Sequence, residues 1–133
     1  MVVDTSFVVD LMRERHAGQS GPAIDLLRRH ATVKLRMPVF VACELELGAT
    51  RSRDSSTEQQ RLSALTEFME VVYPQPGFAT IYGGMVATLL QIGFPVPVMD
   101  ALIACTAIQH SEPLITRDRE HFARIPGLVV EAY

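Results

Sequence analysis

Four acidic residues stand where a folded chain could use them for chemistry. Asp4 follows the short apolar run Val2-Val3, and Asp118 lies just past Leu114, Ile115 and Thr116. Glu44 and Asp100 interrupt segments that are otherwise largely apolar, Phe40 to Leu47 and Val98 to Ile103. A carboxylate embedded among apolar neighbours must be paired, protonated or metal-bound, because burying it alone costs on the order of several kcal/mol. These segments hold one cation, Arg117, so a metal ion is the simplest partner. An oxygen-only ligand set without His or Cys favours hard cations, so Mg²⁺, with Mn²⁺ as a substitute, is expected over Zn²⁺. Such sets support phosphodiester hydrolysis: one ion lowers the pKa of a bound water and another, where present, stabilises the leaving oxygen. No histidine base is required, so His16, His30, His110 and His121 are expected in structural or surface roles. Taken singly each acid has another reading. Asp4, Asp118 and Asp100 could cap helices, and Glu44 could be a solvated residue alternating with Glu46. Their coincidence at the right topological places favours one shared site.

Positioning these acids requires short strands followed by helices. Val2-Val3 reads as a strand, with Thr5 and Ser6 offering a cap to a helix through Met12. Gly21-Pro22 opens a second helix bearing Ile24, Leu27 and Ala31, and Val33 to Met37 forms a strand. Pro38 opens a third helix, with Gly48 near its end. Ser55 to Glu58 has the pattern of a capping box before a helix whose stripe is Leu62, Leu65, Met69 and Val72, and Val71 to Tyr73 is a candidate strand. Phe78 to Ile92 reads as a helix despite Gly83-Gly84, and Asp100 heads an apolar, core-forming helix to Ile108. Leu114 to Thr116 is a strand, a short helix follows through Phe122, and Leu128 to Val130 is the last strand. Strands alternating with helices imply βαβ units and a parallel sheet, whose ligands bind outside the carboxyl ends of the strands.

The composition agrees. With 133 residues, 48% hydrophobic and 20% charged, the chain suits one domain, 1–133, and excludes disorder or collagen. Twelve Lys and Arg face 15 Asp and Glu, a net charge of -3, so any nucleic-acid contact must be local. All the cations except Lys34 are Arg, which suits planar recognition of phosphate. Cys43 and Cys105 have no partners at zinc-site spacing, and a reducing cytoplasm is the expected location. Neither a signal peptide nor a membrane span is expected: no basic segment and only Met1 to Val3 precede the first carboxylate, and the longest uncharged stretch, Val71 to Met99, is broken by four prolines and four glycines.

Taken in order, Val2 to Ser6, Cys43 to Ala49, Asp100 to Ala104, Leu114 to Phe122 and Ile125 to Leu128 resemble the PIN domain, and within it the VapC ribonuclease toxins of toxin–antitoxin pairs. The resemblance covers essentially the whole chain. It implies an α/β, Rossmann-like three-layer sandwich with a central parallel sheet of four or five strands. It implies Mg²⁺- or Mn²⁺-dependent endoribonuclease activity, with Asp4, Glu44, Asp100 and Asp118 converging on one or two ions and Ser6 and Thr116 supporting them. It also implies a VapB-type antitoxin whose helix lies in an apolar groove lined by some of Val8, Val9, Leu11, Met12, Phe40 and Leu47, and whose basic tail residue reaches the acids. A homodimer is expected. Cys43 stands where a small residue is expected, and a small buried Cys fits there.

Other acid-rich α/β folds fit less well. A phosphoacceptor receiver requires a late strand-end Lys, and the single Lys is Lys34; a haloacid-dehalogenase-like phosphatase requires a second Asp where Ser6 stands. A non-catalytic PIN-like RNA-binding or interaction module is the alternative. RNA contacts are expected from Arg117, Arg119 and Arg51, with Arg13, Arg15 and Arg53 as further candidates, though each could be ordinary surface charge.

Overall fold

Five short strands build one sheet around which the helices pack. The computed structural model describes Met1–Tyr133. In chain order the elements are β1 (Val2–Val3), α1 (Thr5–Ala17), α2 (Pro22–Arg29), β2 (Leu35–Pro38), α3 (Val39–Arg51), α4 (Ser55–Thr66), β3 (Met69–Val72), α5 (Phe78–Gln91), α6 (Val98–His110), β4 (Leu114–Thr116), α7 (Arg119–Phe122) and β5 (Val130–Ala132). The strand order is β3-β2-β1-β4-β5, and every pairing is parallel. This is the sheet the alternation of strands and helices predicts. No helix is long and apolar enough to cross a membrane.

β1 is only two residues long, yet both side chains have no exposed surface. Successive strand residues point to opposite faces, so both faces of the sheet centre are covered. Leu114, Ile115 and Thr116 of β4 are buried in the same way. Val3 pairs with Ile115, and the Asp4 amide donates to the Ile115 carbonyl at 3.1 Å. Parallel neighbours end on the same side, so Asp4 and the Arg117-Asp118 pair leave the sheet side by side.

The helices bury stripes against this sheet. In α3 the buried residues are Val41, Leu45 and Ala49, one stripe at helical spacing. Cys43 falls off that stripe and is exposed, contrary to the expected buried residue; Cys105 is the buried cysteine, its thiol pushed up to about 11 by burial. In α6 the run Ile103 to Ala107 is buried without a break, as its composition predicts for a central helix.

Several boundaries differ from the sequence reading, each for a local reason. Of the caps offered for α1, Asp4 is the one used, accepting from the Phe7 amide at 2.8 Å, and Thr5 and Ser6 lie inside the helix. Asp54 caps α4 by accepting from the Thr57 amide at 3.2 Å, one residue ahead of the expected box at Ser55. α4 ends at Thr66, so Met69 and Val72 belong to β3 and not to a helical stripe. α3 runs past Gly48 to Arg51, and the last strand is Val130–Ala132 instead of Leu128 to Val130. α6 starts at Val98 after Pro97, which leaves Asp100 inside the first turn and not at the cap.

Candidate active site

The four acids reach one cavity from four segments. Asp4 comes from the end of β1, Glu44 from the middle of α3, Asp100 from the first turn of α6 and Asp118 from the turn after β4. Together with Thr5, Ser6 and Arg117 they line a cavity of about 590 Å³ at the carboxyl edge of the sheet, backed by Ile103 and Phe122. The apolar sequence context overstates their burial. Only Asp4 is buried, at 5% exposure; Glu44 and Asp100 are half-buried and Asp118 is exposed.

Each acid has a local partner. Both Asp4 oxygens lie 2.8 Å from the Ser6 hydroxyl, which fixes the carboxylate plane while Oδ1 caps α1. Glu44 accepts from the Thr5 hydroxyl. Asp118 Oδ1 accepts from the His121 amide at 3.0 Å and so caps α7, while the Asp118 amide donates to the Thr116 hydroxyl at 3.0 Å. Asp100 Oδ2 lies 3.3 Å from His121 Nε2, an ion-pair distance without hydrogen-bond alignment, so that buried nitrogen has no hydrogen-bond partner. Thr5 and His121 are the site residues that the sequence reading missed. The Thr5 contact spans 39 positions and carries no local signal; His121 was legible only as the third residue after an acid.

Ser6 and Thr116 stand where the resemblance places them, against Asp4 and Asp118. Of the arginines, Arg117 lines the cavity; Arg119 and Arg51 are exposed and do not line it. The donor set, four carboxylates and the hydroxyls of Thr5 and Ser6, has the hard-oxygen chemistry that suits Mg²⁺ or Mn²⁺. The four acids share a cavity but not a coordination shell: no three His, Cys, Asp or Glu side chains converge tightly enough to hold one ion as they stand. Glu44 and Asp100 are instead turned toward Thr5 and His121.

Burial raises the Asp4 carboxyl above its ordinary 3.8, against the opposing hydrogen bonds of Thr116, Phe7 and Ser6. Burial also raises Asp100; His121 opposes this, and the Glu44 and Asp118 charges add to it. Desolvation leads in both cases, and repulsion among the acids contributes only at Asp100. A raised carboxyl binds its proton more tightly in the folded chain, so stability falls as pH rises from 3.8 through the folded-state value. Asp4→Asn and Asp100→Asn should therefore raise the thermal midpoint of chelator-treated protein by a few degrees at neutral pH, with the gain vanishing below about pH 3.8. Asn remains a good N-cap, so the first substitution keeps α1 capped. A gain that persists at low pH would assign it to something other than charge.

A second cavity, of about 350 Å³, lies between α1, α3 and α4 and shares Thr5 and Glu44 with the acid site. Of the six residues expected in an apolar groove, Val9 and Met12 line it, joined by Leu45 and Leu62 and by Arg13, His16, Glu58 and Arg61. Val8 and Leu11 are instead core residues, Phe40 packs on Phe78 at 5.8 Å, and Leu47 is exposed outside it.

The PIN domain family model matches residues 1–128. The chain belongs to the PIN domain family. Within it the chain is of the VapC type: Ribonuclease VapC1 of Haemophilus influenzae strain R2866 is 30% identical over 127 residues, covering 96% of this chain and 92% of that protein. Among solved structures, VapBC-1 from nontypeable Haemophilus influenzae is 29% identical with a TM-score of 0.86, covering 98% of this chain and 96% of that one. VapBC2 from Rickettsia felis, bound to a DNA fragment from its promoter, is 23% identical with a TM-score of 0.90, covering 99% and 97%, and shares the PIN fold.

Proposed function

We propose that this chain is a Mg²⁺-dependent endoribonuclease, with Mn²⁺ able to substitute, and the toxin of a toxin–antitoxin pair. The observation that carries the reading is the convergence of Asp4, Glu44, Asp100 and Asp118 from four segments on one cavity at the carboxyl edge of a PIN sheet. The relative named Ribonuclease VapC1 and the VapBC structures support it.

In this reading the four carboxylates hold the metal, with Ser6 orienting Asp4 and Thr116 orienting the Asp118 backbone. Bound metal supplies an acidified water and charge neutralisation at the phosphate. The chain's own groups do the rest. Ser6 keeps the Asp4 plane fixed, and a bound cation would oppose the burial that raises the Asp4 and Asp100 carboxyls by favouring their charged form. Thr5 and His121 must release Glu44 and Asp100 for all four acids to face one ion. Arg117 is the single Lys or Arg lining the cavity and takes the RNA phosphate beside it.

The partner follows from the second cavity. A VapB-type antitoxin segment lying between α1, α3 and α4 would end at Thr5 and Glu44, where a basic residue meets the acids. The working form is a homodimer or its complex with antitoxin, in the cytoplasm.

Purified protein incubated with total RNA should cleave it in Mg²⁺ or Mn²⁺, stop in excess chelator and recover when metal is restored. Full activity in chelator would overturn the metal-dependent reading. The separation of the acids into locally bonded residues favours one other reading, a non-catalytic RNA-binding PIN module. That reading expects RNA to be retained uncut in the same reaction run to long times.

A further inference from the structure

Arg117, which lines the acid cavity and whose charge reaches Asp4, is engaged by a pair of residues outside the quartet. Its Nη1 donates to Asp10 Oδ2 at 2.9 Å, and the Tyr133 hydroxyl donates to the same oxygen at 2.9 Å. The Asp10 side chain is only 16% exposed, whereas that of Arg117 is 62% exposed. The Tyr133 ring stands edge-on to Phe7 at 5.2 Å and 83°, which fixes the direction of its hydroxyl. Burial, reinforced by the Asp10 charge, keeps that hydroxyl protonated and therefore a donor. Asp10 Oδ1 faces the exposed Arg13 at 3.7 Å, a looser contact.

This arrangement has a purpose that packing alone does not require. A guanidinium bears five donors, and the Asp10 contact occupies one, leaving the others for a phosphate. A free arginine at the rim of a cavity with four carboxylates would fall onto them and compete with a cation. A carboxylate placed behind it, itself fixed by a tyrosine, holds it at the rim.

We propose that Asp10 and Tyr133 are positioning residues that hold Arg117 at the cavity rim as the contact for an RNA phosphate and keep it off the acid cluster. The identity of the ligand rests on the ribonuclease reading; the clamp itself rests on the three side chains. Binding of a labelled single-stranded RNA oligonucleotide in Mg²⁺, in the Asp4→Asn background so that the RNA stays uncut, tests it. Arg117→Ala and Asp10→Asn should each weaken binding about tenfold, and Tyr133→Phe about threefold. Asp10→Asn combined with Arg117→Ala should bind no worse than Arg117→Ala alone, because both act through one guanidinium. In the cleaving protein the same substitutions should raise KM and leave kcat within about twofold. A purely structural role would lower the thermal midpoint while leaving RNA affinity unmoved, or would make the two losses additive; either result overturns the clamp. Binding that responds as expected in a chain that never cleaves RNA would retain the clamp and remove the nuclease reading.

Discussion

Asp4→Asn and Asp100→Asn should each lower the rate of RNA cleavage by about 10²-fold or more while the chain stays folded, a loss on the order of 3 kcal/mol of barrier lowering. The two acids are chosen because they face the cavity from its most constrained positions. Asp4 is the buried member, locked by Ser6 and by the cap of α1. Asp100 is held by the first turn of the core helix α6. An amide keeps the shape of each side chain and removes the negative charge on which a hard cation depends. The loss should be uneven between kinetic constants: kcat should fall and KM should change little. Expression of the chain alone should arrest growth, and Asp4→Asn should relieve the arrest. Growth arrest that survives Asp4→Asn would mean that the harm does not come from metal-dependent cleavage, and the proposed role of an antitoxin would lose its basis.

Phe7→Ala should be the most damaging substitution near the site to the fold, costing about 3–5 kcal/mol and lowering the thermal midpoint by roughly 10–20 °C. Phe7 has no exposed surface and fills the space between the first turn of α1 and the Tyr133 ring. Its amide would still donate to Asp4 in the alanine variant, so the loss isolates packing from capping. Phe7→Leu, which restores most of the volume, should recover well over half of it. Chemical denaturation of the three proteins checks this, and a loss below about 1 kcal/mol for alanine would mean that the site's neighbourhood collapses to fill the space.

The acids were legible because they break local patterns. Asp4 ends an apolar run, and Glu44 and Asp100 interrupt apolar helices, so hydrophobic periodicity exposes them without any tertiary knowledge. The parallel sheet was legible for the same reason, as alternation of short apolar runs with helical stripes. What the pattern did not carry is partner choice across the chain. Thr5 against Glu44, His121 against Asp100, and Tyr133 against Asp10 are meetings set by the sheet order, and nothing near those residues in sequence announces them. Caps show the same limit on a smaller scale: Asp54, Ser55 and Ser56 are all good caps, and only the backbone direction entering α4 selects the first. Cys43 shows it for burial, since a residue between Val41 and Leu45 is turned outward by helical pitch alone.

The central strand has a consequence for how the molecule comes into being. β1 lies between β2 and β4, and Ser6 meets Arg117 across 111 positions. On a ribosome the chain emerges amino end first, at about 5–20 residues per second, so Asp4 and Glu44 are exposed well before β4 exists. Until β4 slots in beside β1, the middle of the sheet has an open edge, and Asp100 and Asp118 have no fixed place opposite Asp4. Such long-range parallel pairing is slow to form. A product that stops short of β4 therefore lacks the cavity altogether, and the four acids come together only once β4 has joined the sheet beside β1.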